Sequence, residues 1–314
     1  MKTKNLFRLG FLLIAAMTLS FTSCKKDTTT TKKPAPNTES MQQLTVDENN
    51  VENASDQALN DVNTELTPSK LKSTENGGPC NADVHIGGVV NDTITITITY
   101  NGLNCSGTHL RTGQVILKKR FDEDWGLPGA TVLVYLNNFK TTKVSNGKSL
   151  TLNGTKHYEN VSGHYLWQLG LDSTVTAVVD RVWGSVTATF DDNTQRVWNI
   201  ARQRTFTGSL INLVMTTDGF GTADSYSNLA TWGTNRNGEL FYSTISQSVV
   251  HKQHCDWNPC SGVITHEIPS VSKSATTTFG YNSNYQLITN GDCPTYYKLD
   301  WVFGPNSGTI YLPL

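Results

Sequence analysis

Hydrophobic and polar residues alternate along most of the chain after residue 80, and residues 92–100 show the pattern best. Every second residue from Ile94 to Tyr100 is large and apolar, and the residues between them are all threonine. Successive side chains of a strand point to opposite faces, so this period of two predicts a strand with one buried face.

Twelve further segments are predicted as strands: 113–120, 130–139, 149–158, 173–180, 182–190, 195–206, 226–233, 240–250, 262–268, 275–281, 296–303 and 309–312. Turn-forming Asn, Asp and Gly residues join many of them, as in 145–147 and 235–238. Short connections favour antiparallel pairing. The predicted fold is all-β: one domain, residues 80–314, forming a large antiparallel meander as an open curved sheet, a sandwich or a barrel-like form.

Apolar residues repeat with a different period in the segment before this domain. The apolar residues of segment 49–66 recur at helical spacing, and Pro68 ends the pattern. The opposite face carries Glu52, Asp56, Asp61 and Glu65. We therefore predict a short amphipathic helix and linker over 49–79. The helix either packs on the β domain or forms a partly ordered stalk.

Residues 1–23 have the layout of an export signal, with basic Lys2, Lys4 and Arg8 before an apolar run. Thirteen helical residues rise only about 20 Å, which is too short to span a membrane. Small residues directly before Cys24 resemble the lipobox of bacterial lipoproteins, in which the cysteine is acylated. An ordinary secreted protein is the alternative. Residues 24–48 are polar and predict a flexible tether.

The net charge of the chain limits the classes of binding partner that we expect. Removing residues 1–23 takes away three of the 25 Lys and Arg and none of the 26 acids, which leaves 22 against 26 and a charge of −4. This mild acidic excess does not suit nucleic-acid binding. The expected partner is a membrane, reached through the lipid anchor.

Several short motifs resemble a family of Bacteroidota outer-membrane lipoproteins of unknown function. They are Cys105-Ser-Gly107, Arg111-Thr-Gly113, residues 136–139, Gly154-Thr155, residues 233–238, Cys255-Asp-Trp257, Ser261-Gly262 and residues 290–293; the run Cys24-Lys-Lys-Asp27 is also similar. The resemblance implies an all-β fold and a lipid-anchored outer-membrane location, at the cell surface or the periplasmic face. It implies no activity.

With Cys24 lipidated, five cysteines remain, and an exported location favours disulfides. The resemblance implies that Cys80 pairs with Cys105 and Cys255 with Cys293, which leaves Cys260 as a free thiol. The residues alone leave a Cys255–Cys260 pair open as the main alternative.

Candidate metal sites have weaker support in the sequence. The run His251–Cys255, with Cys260 and His266, contains zinc-binding residue types, but its spacing favours disulfides and surface histidines. The acidic stretches 122–124, 191–193 and 218–224 contain possible calcium ligands, but none matches a known calcium loop, so solvated turns are favoured. We predict no metal site, no cofactor and no catalytic residue.

Trp183 is the candidate ligand-binding residue. In the strand 182–190 it shares a face with Ser185, Thr187 and Thr189, so it would point outward and could stack on a sugar. The alternative is that a loop or the helix covers it. The sequence therefore favours a non-enzymatic structural or binding role, with a glycan or an envelope protein as partner. The alternative is a hydrolase of envelope glycans or peptides with an unrecognised carboxylate pair.

Overall fold

The structure, a computed structural model, describes residues 36–67 and 78–314, with side chains from residue 41 onward. The proposed signal peptide, Cys24 and the first half of the tether lie outside the described residues. In the described part, one α-helix, α1 (Pro36–Leu66), precedes fifteen strands.

The strands follow one another with short connections. Their bounds are β1 Ala82–Ile86, β2 Thr93–Leu103, β3 His109–Arg120, β4 Ala130–Lys143, β5 Ser149–Asn160, β6 Val178–Phe190, β7 Gln195–Ser209, β8 Asn212–Gly219, β9 Gly221–Ala223, β10 Tyr226–Thr234, β11 Leu240–Lys252, β12 Pro259–Ile268, β13 Lys273–Tyr281, β14 Tyr296–Phe303 and β15 Asn306–Pro313.

All fifteen strands form one antiparallel sheet, which confirms the all-β meander. Strands β1 to β7 pair in chain order, and β10 to β15 continue the order from β7. The far half of β7, from Arg202 onward, instead pairs with β8, and β8 also pairs with the end of β11. Strand β9 pairs only with β10.

Three strands, β1, β8 and β9, were not predicted, and segment 173–180 was wrongly predicted to be a separate strand. The structure begins β6 at Val178 and continues it to Phe190. Val178, Asp180 and Val182 are all buried on one face. Asp180 therefore continues the inward pattern that its charge concealed in the sequence.

Helix α1 begins at Pro36, thirteen residues before the predicted start at 49, so residues 36–48 of the predicted tether are helical. Met41, Leu44 and Glu48 extend the buried stripe toward the N-terminus. This extension was missed because it contains Thr45, Asp47 and Glu48, which are polar yet buried. No helix among the described residues is long and apolar enough to cross a membrane.

Helix α1 packs against the sheet and is not a free stalk. Its buried apolar residues form one cluster with inward side chains of β2 to β7 and of β11 to β14. Since α1 contacts β5 as well as β13 and β14, the sheet curves around it. We call the sheet face toward α1 the inner face and the opposite one the outer face.

Ion pairs fix the helix on the inner face. Glu48, Glu52 and Asp56 lie one helical turn apart along one side of α1, and all three pair with arginines of β7: Arg196, Arg202 and Arg204, respectively. Asp61 pairs with Arg111 at 2.7 Å, and Asp47 pairs with Arg236 at 2.7 Å. The predicted acidic face of the helix is therefore directed at the sheet along much of its length.

Two disulfides join distant parts of the chain. Cys80 is bonded to Cys105 and Cys255 to Cys293, with Cα atoms 5.2 and 5.3 Å apart. These are the pairs that the family resemblance implies, and Cys260 is free. The alternative Cys255–Cys260 bond is not formed.

Candidate functional site

Trp183 lies on the outer face of β6, as the alternation of the strand predicts, but it is half-buried. The imidazole of His157, its cross-strand neighbour on β5, stacks on the indole with ring centroids 5.1 Å apart and planes 6° apart. The edge of Phe220 approaches at 6.4 Å. The indole is thus covered in part by neighbouring rings, and not by the helix.

A shallow depression lies beside this aromatic group on the same face. It has a volume of about 420 Å³ and is lined by β3, β4 and β5, with Lys118, Tyr135, Asn137, Asn153 and Thr155 among its walls. Thr155 and His157 are consecutive outward residues of β5, which places the depression next to the Trp183–His157 stack. A volume of this size is within the range of small-molecule sites.

Backbone irregularities lie in the walls of the depression. The pairing of β4 with β5 shifts between Leu136 and Phe139, where Asn138 adopts a φ of 49°. Opposite it, Gly154 has a φ of 150°, and a Cβ there would clash with the carbonyl oxygen of Ser185. Glycine is therefore required at this position, where the backbones of β5 and β6 approach closely.

The polar groups of the depression are held in place by their neighbours. Asn137 donates to Gln114 Oε1 at 3.1 Å, and Asn153 Oδ1 accepts from the Asn138 amide at 2.8 Å. The ammonium of Lys118 lies 5.1 Å from the ring centroid of Tyr135. An aromatic ring bordered by fixed amides can stack on, and hydrogen-bond to, a polar uncharged ligand.

The inner face contains residue types that hydrolases use, in a cluster around His266. The Ser243 hydroxyl lies 2.7 Å from His266 Nδ1. Nearby, Glu48 accepts hydrogen bonds from Trp198 Nε1 at 3.3 Å and from Thr231 Oγ1 at 2.5 Å. The sequence had grouped His266 with the zinc-type residues near 251–260, but the structure buries it beneath the helix.

This cluster has no access for a substrate. Ser243, His266 and Glu48 are 1, 3 and 4% exposed, and the cavity among them has a volume of about 10 Å³, enough for one water molecule. Burial lowers the pKa of His266 to about 4, so the imidazole is neutral at pH 7. Burial alone would raise the pKa of Glu48, but Arg196 and its other partners hold it below the usual value. The cluster is part of the core.

Among the described residues, one group of three potential metal ligands comes together: His254, Cys255 and Cys293 lie within 4.8 Å of one another. Both cysteines are joined in a disulfide, so neither can supply a thiolate. His251 is directed elsewhere, with Nδ1 2.9 Å from the Trp257 carbonyl oxygen. Cys260 is half-buried, and burial raises the pKa of its thiol.

The acidic stretches are bonded to the protein's own donors. Asp122 pairs with Arg120 at 2.8 Å, and Asp192 accepts from Thr194 Oγ1 at 2.5 Å. The stretch 218–224 is split, since Asp218 accepts from Ser248 and Asp224 from Tyr242. These contacts are those of hydrogen-bonded turns and strand neighbours.

The chain matches no protein-family model, no curated protein and no solved structure.

Proposed function

We propose that the chain is a lipid-anchored lipoprotein of the bacterial outer membrane that binds a glycan without chemical conversion. The observation that carries the binding proposal is the outer-face depression between β3 and β5, with Tyr135 and two fixed asparagine amides in its walls. A pyranose presents an apolar C–H face and hydroxyl groups, which an aromatic ring and amides complement.

The filled inner face supports a binding role over hydrolysis. Helix α1 occupies the inner face, and the Ser243–His266 pair beneath it is enclosed. Glycoside hydrolysis requires two carboxyl groups across an accessible cleft. On the outer face, Asp224 and Glu267 accept hydrogen bonds from the hydroxyls of Tyr242 and Tyr226.

A glycan array tests the site. Wild-type protein is expected to bind at least one glycan, and Tyr135→Ala should reduce the signal at least tenfold. Trp183→Ala should reduce it less, since the indole lies beside the depression and does not line it. Ile211→Ala, which removes a side chain 91% exposed in a distant turn, should bind like the wild type. Absence of binding by the wild type would overturn the proposal.

Attachment is tested separately in cells of the source bacterium. The proposed anchor is Cys24, preceded by small residues and followed by Lys-Lys-Asp. Wild-type protein should incorporate labelled fatty acid and sediment with outer membranes, whereas Cys24→Ala should do neither. Labelling of both proteins alike would refute acylation at Cys24.

A further inference from the structure

A second group of aromatic residues lies at the other end of the sheet. Tyr281 ends β13, Tyr296 begins β14, Tyr311 lies on the edge strand β15, and Tyr285 is in the loop between β13 and β14. We call these four residues the tyrosine platform. Their neighbours Tyr297, Ile310 and Leu312 pack into the core, so Tyr296 and Tyr311 belong to the outer face.

The rings of the tyrosine platform contact one another directly. Tyr285 stacks on Tyr311 with centroids 4.5 Å apart and planes 24° apart, and it meets Tyr296 at 5.2 Å and 89°. Tyr281 meets Tyr311 edge-on at 5.3 Å. Although it contacts two rings, Tyr285 is still 49% exposed. The platform therefore presents aromatic surface to solvent.

The loop that carries Tyr285 is ordered by its own hydrogen bonds. Asn282 Oδ1 accepts from the amides of Asn284 and Gln286 at 2.9 and 3.0 Å. The Ile288 amide donates to the Gly280 carbonyl at 2.8 Å, and Tyr285 has a φ of 60°. The ring is held in position before a ligand arrives, which lowers the entropic cost of binding.

The hydroxyl groups distinguish the tyrosine platform from five of the chain's other seven tyrosines. Those five donate to a carboxylate: Tyr100, Tyr158, Tyr165, Tyr226 and Tyr242. None of the four platform hydroxyls has a hydrogen-bond partner within the part of the chain that the structure describes. They remain available to a ligand, as do the exposed amide side chains of Asn284 and Gln286.

Charge at this surface is balanced. Lys298, on the same face of β14, pairs with Asp300 at 2.7 Å, and Asp300 also accepts from Thr309 at 2.5 Å. No net charge is left to attract an ion, whereas rings, free hydroxyls and amides together suit a neutral sugar.

We propose that the tyrosine platform is a second binding site for neutral glycans, separate from the depression at Tyr135. Seven strand-to-strand steps separate β5 from β14, or about 34 Å along the sheet. The two sites therefore bind separate sugar segments. This inference rests on the proposed glycan-binding function, which it extends from one site to two.

Calorimetric titration of the full chain with cellohexaose, mannohexaose, xylohexaose and maltohexaose tests the proposal. At least one oligosaccharide should bind wild-type protein at two sites. Tyr285→Ala should leave one site, Tyr135→Ala should leave one, and the double variant should leave none. Tyr285→Phe keeps the ring but not the hydroxyl, so it should retain both sites with the second several-fold weaker.

The outcomes separate the two proposals. One wild-type site that Tyr135→Ala removes and Tyr285→Ala does not would overturn the second site and leave the first intact. Failure of all four sugars to bind would overturn both. Preferential binding of a proline-rich peptide at Tyr285 would also overturn the sugar assignment. Unfolding temperatures equal to that of Ile211→Ala confirm that each variant is folded.

Discussion

Charged side chains of this protein are concentrated where charge is costly, between a helix and the inner face of a sheet. Glu48 and Arg196 are almost completely buried, and both have lost their hydration. Such a pair contributes little net stability compared with apolar residues of the same shape. Removing one partner is different, because the other charge is left buried and alone.

Glu48→Ala is therefore expected to lower the free energy of unfolding by about 3–5 kcal/mol. The change deprives Arg196, Trp198 and Thr231 of their shared acceptor. Urea unfolding measures it. The matched control is Asp300→Ala, since the Lys298–Asp300 pair is partly exposed at 26 and 40% and should cost about 1 kcal/mol or less. Equal losses in the two variants would contradict the role assigned to burial.

A second prediction concerns pH. Burial raises the pKa of Asp180 from its ordinary 3.8 to about 7, and Tyr158 donates to this carboxyl at 2.6 Å. Between pH 4 and 7 the folded chain keeps a proton that the unfolded chain releases, so the free energy of unfolding falls as pH rises. Asp180→Asn, which cannot ionise, should escape this loss. The free energy of unfolding of this variant, relative to that of the wild type, should increase by up to about 4 kcal/mol from pH 4 to pH 7.

Urea titrations at pH 4, 5.5 and 7 measure this difference. Asp172→Asn is a control of opposite sign, since hydrogen bonds from Thr174 lower the pKa of Asp172 in an exposed turn. The stability that Asp172 contributes is lost as pH falls. The free energy of unfolding of the wild type, relative to that of Asp172→Asn, should therefore increase as pH rises. Parallel pH profiles for the wild type and Asp180→Asn would show that Asp180 does not take up a proton in the folded state.

Among the elements, α1 contributes more to the core than its polar sequence suggests. The sequence predicted its second half, because Val51, Leu59 and Val62 recur at helical spacing. The first half could not be predicted, because the partners that bury Asp47 and Glu48 are Arg236 and Arg196, about 150 residues or more away in the chain. The pattern of residues within the helix carries no information about ion pairs with residues so distant in the chain.

The strands show the same limit. Strand β2 was predicted because its alternation is strict, and Ile96, Ile98 and Tyr100 are indeed buried. Strand β8 was missed because apolar Val214 lies on its outer face and polar Thr217 is buried on its inner face, which breaks the alternation. Trp183 was placed on the correct face, but its cover comes from His157 on the neighbouring strand β5 and from Phe220. The depression at Tyr135 lies at a register shift, and the tyrosine platform includes Tyr285 from a loop; neither feature gives a sequence signal.

If α1 is a core element, substitutions on its two sides should differ. Leu59→Ala, at a position 2% exposed, should lower the free energy of unfolding by about 2–5 kcal/mol because it leaves a cavity against the sheet. Val46→Ala, on the side where the side chain is 41% exposed, should change it by about 0.5 kcal/mol or less. Thermal or urea unfolding measures both. A neutral Leu59→Ala would instead favour the stalk interpretation of the helix.

For the whole molecule, the cysteines connect the fold to the proposed location. Two disulfides would persist outside the reducing cytosol, and each closes a loop whose constraint stabilises the fold by roughly 2–4 kcal/mol. The two disulfides lie in different regions of the sheet. One links the segment before β1 to the β2–β3 turn, and the other links the segment after β11 to the loop before β14.

The last prediction distinguishes the Cys255–Cys293 disulfide from the alternative Cys255–Cys260 disulfide, between which the sequence alone does not decide. Mature protein acylated at Cys24 as proposed, and unfolded without reductant, should show one reactive thiol, that of Cys260, and Cys260→Ser should show none. A Cys255–Cys260 bond would also leave one thiol in the wild type, but Cys260→Ser would then expose Cys255 and Cys293 together. Thiol titration of both proteins distinguishes the cases, because only the 255–293 bond survives loss of Cys260. Five thiols after full reduction would account for every cysteine except Cys24, which we propose is acylated.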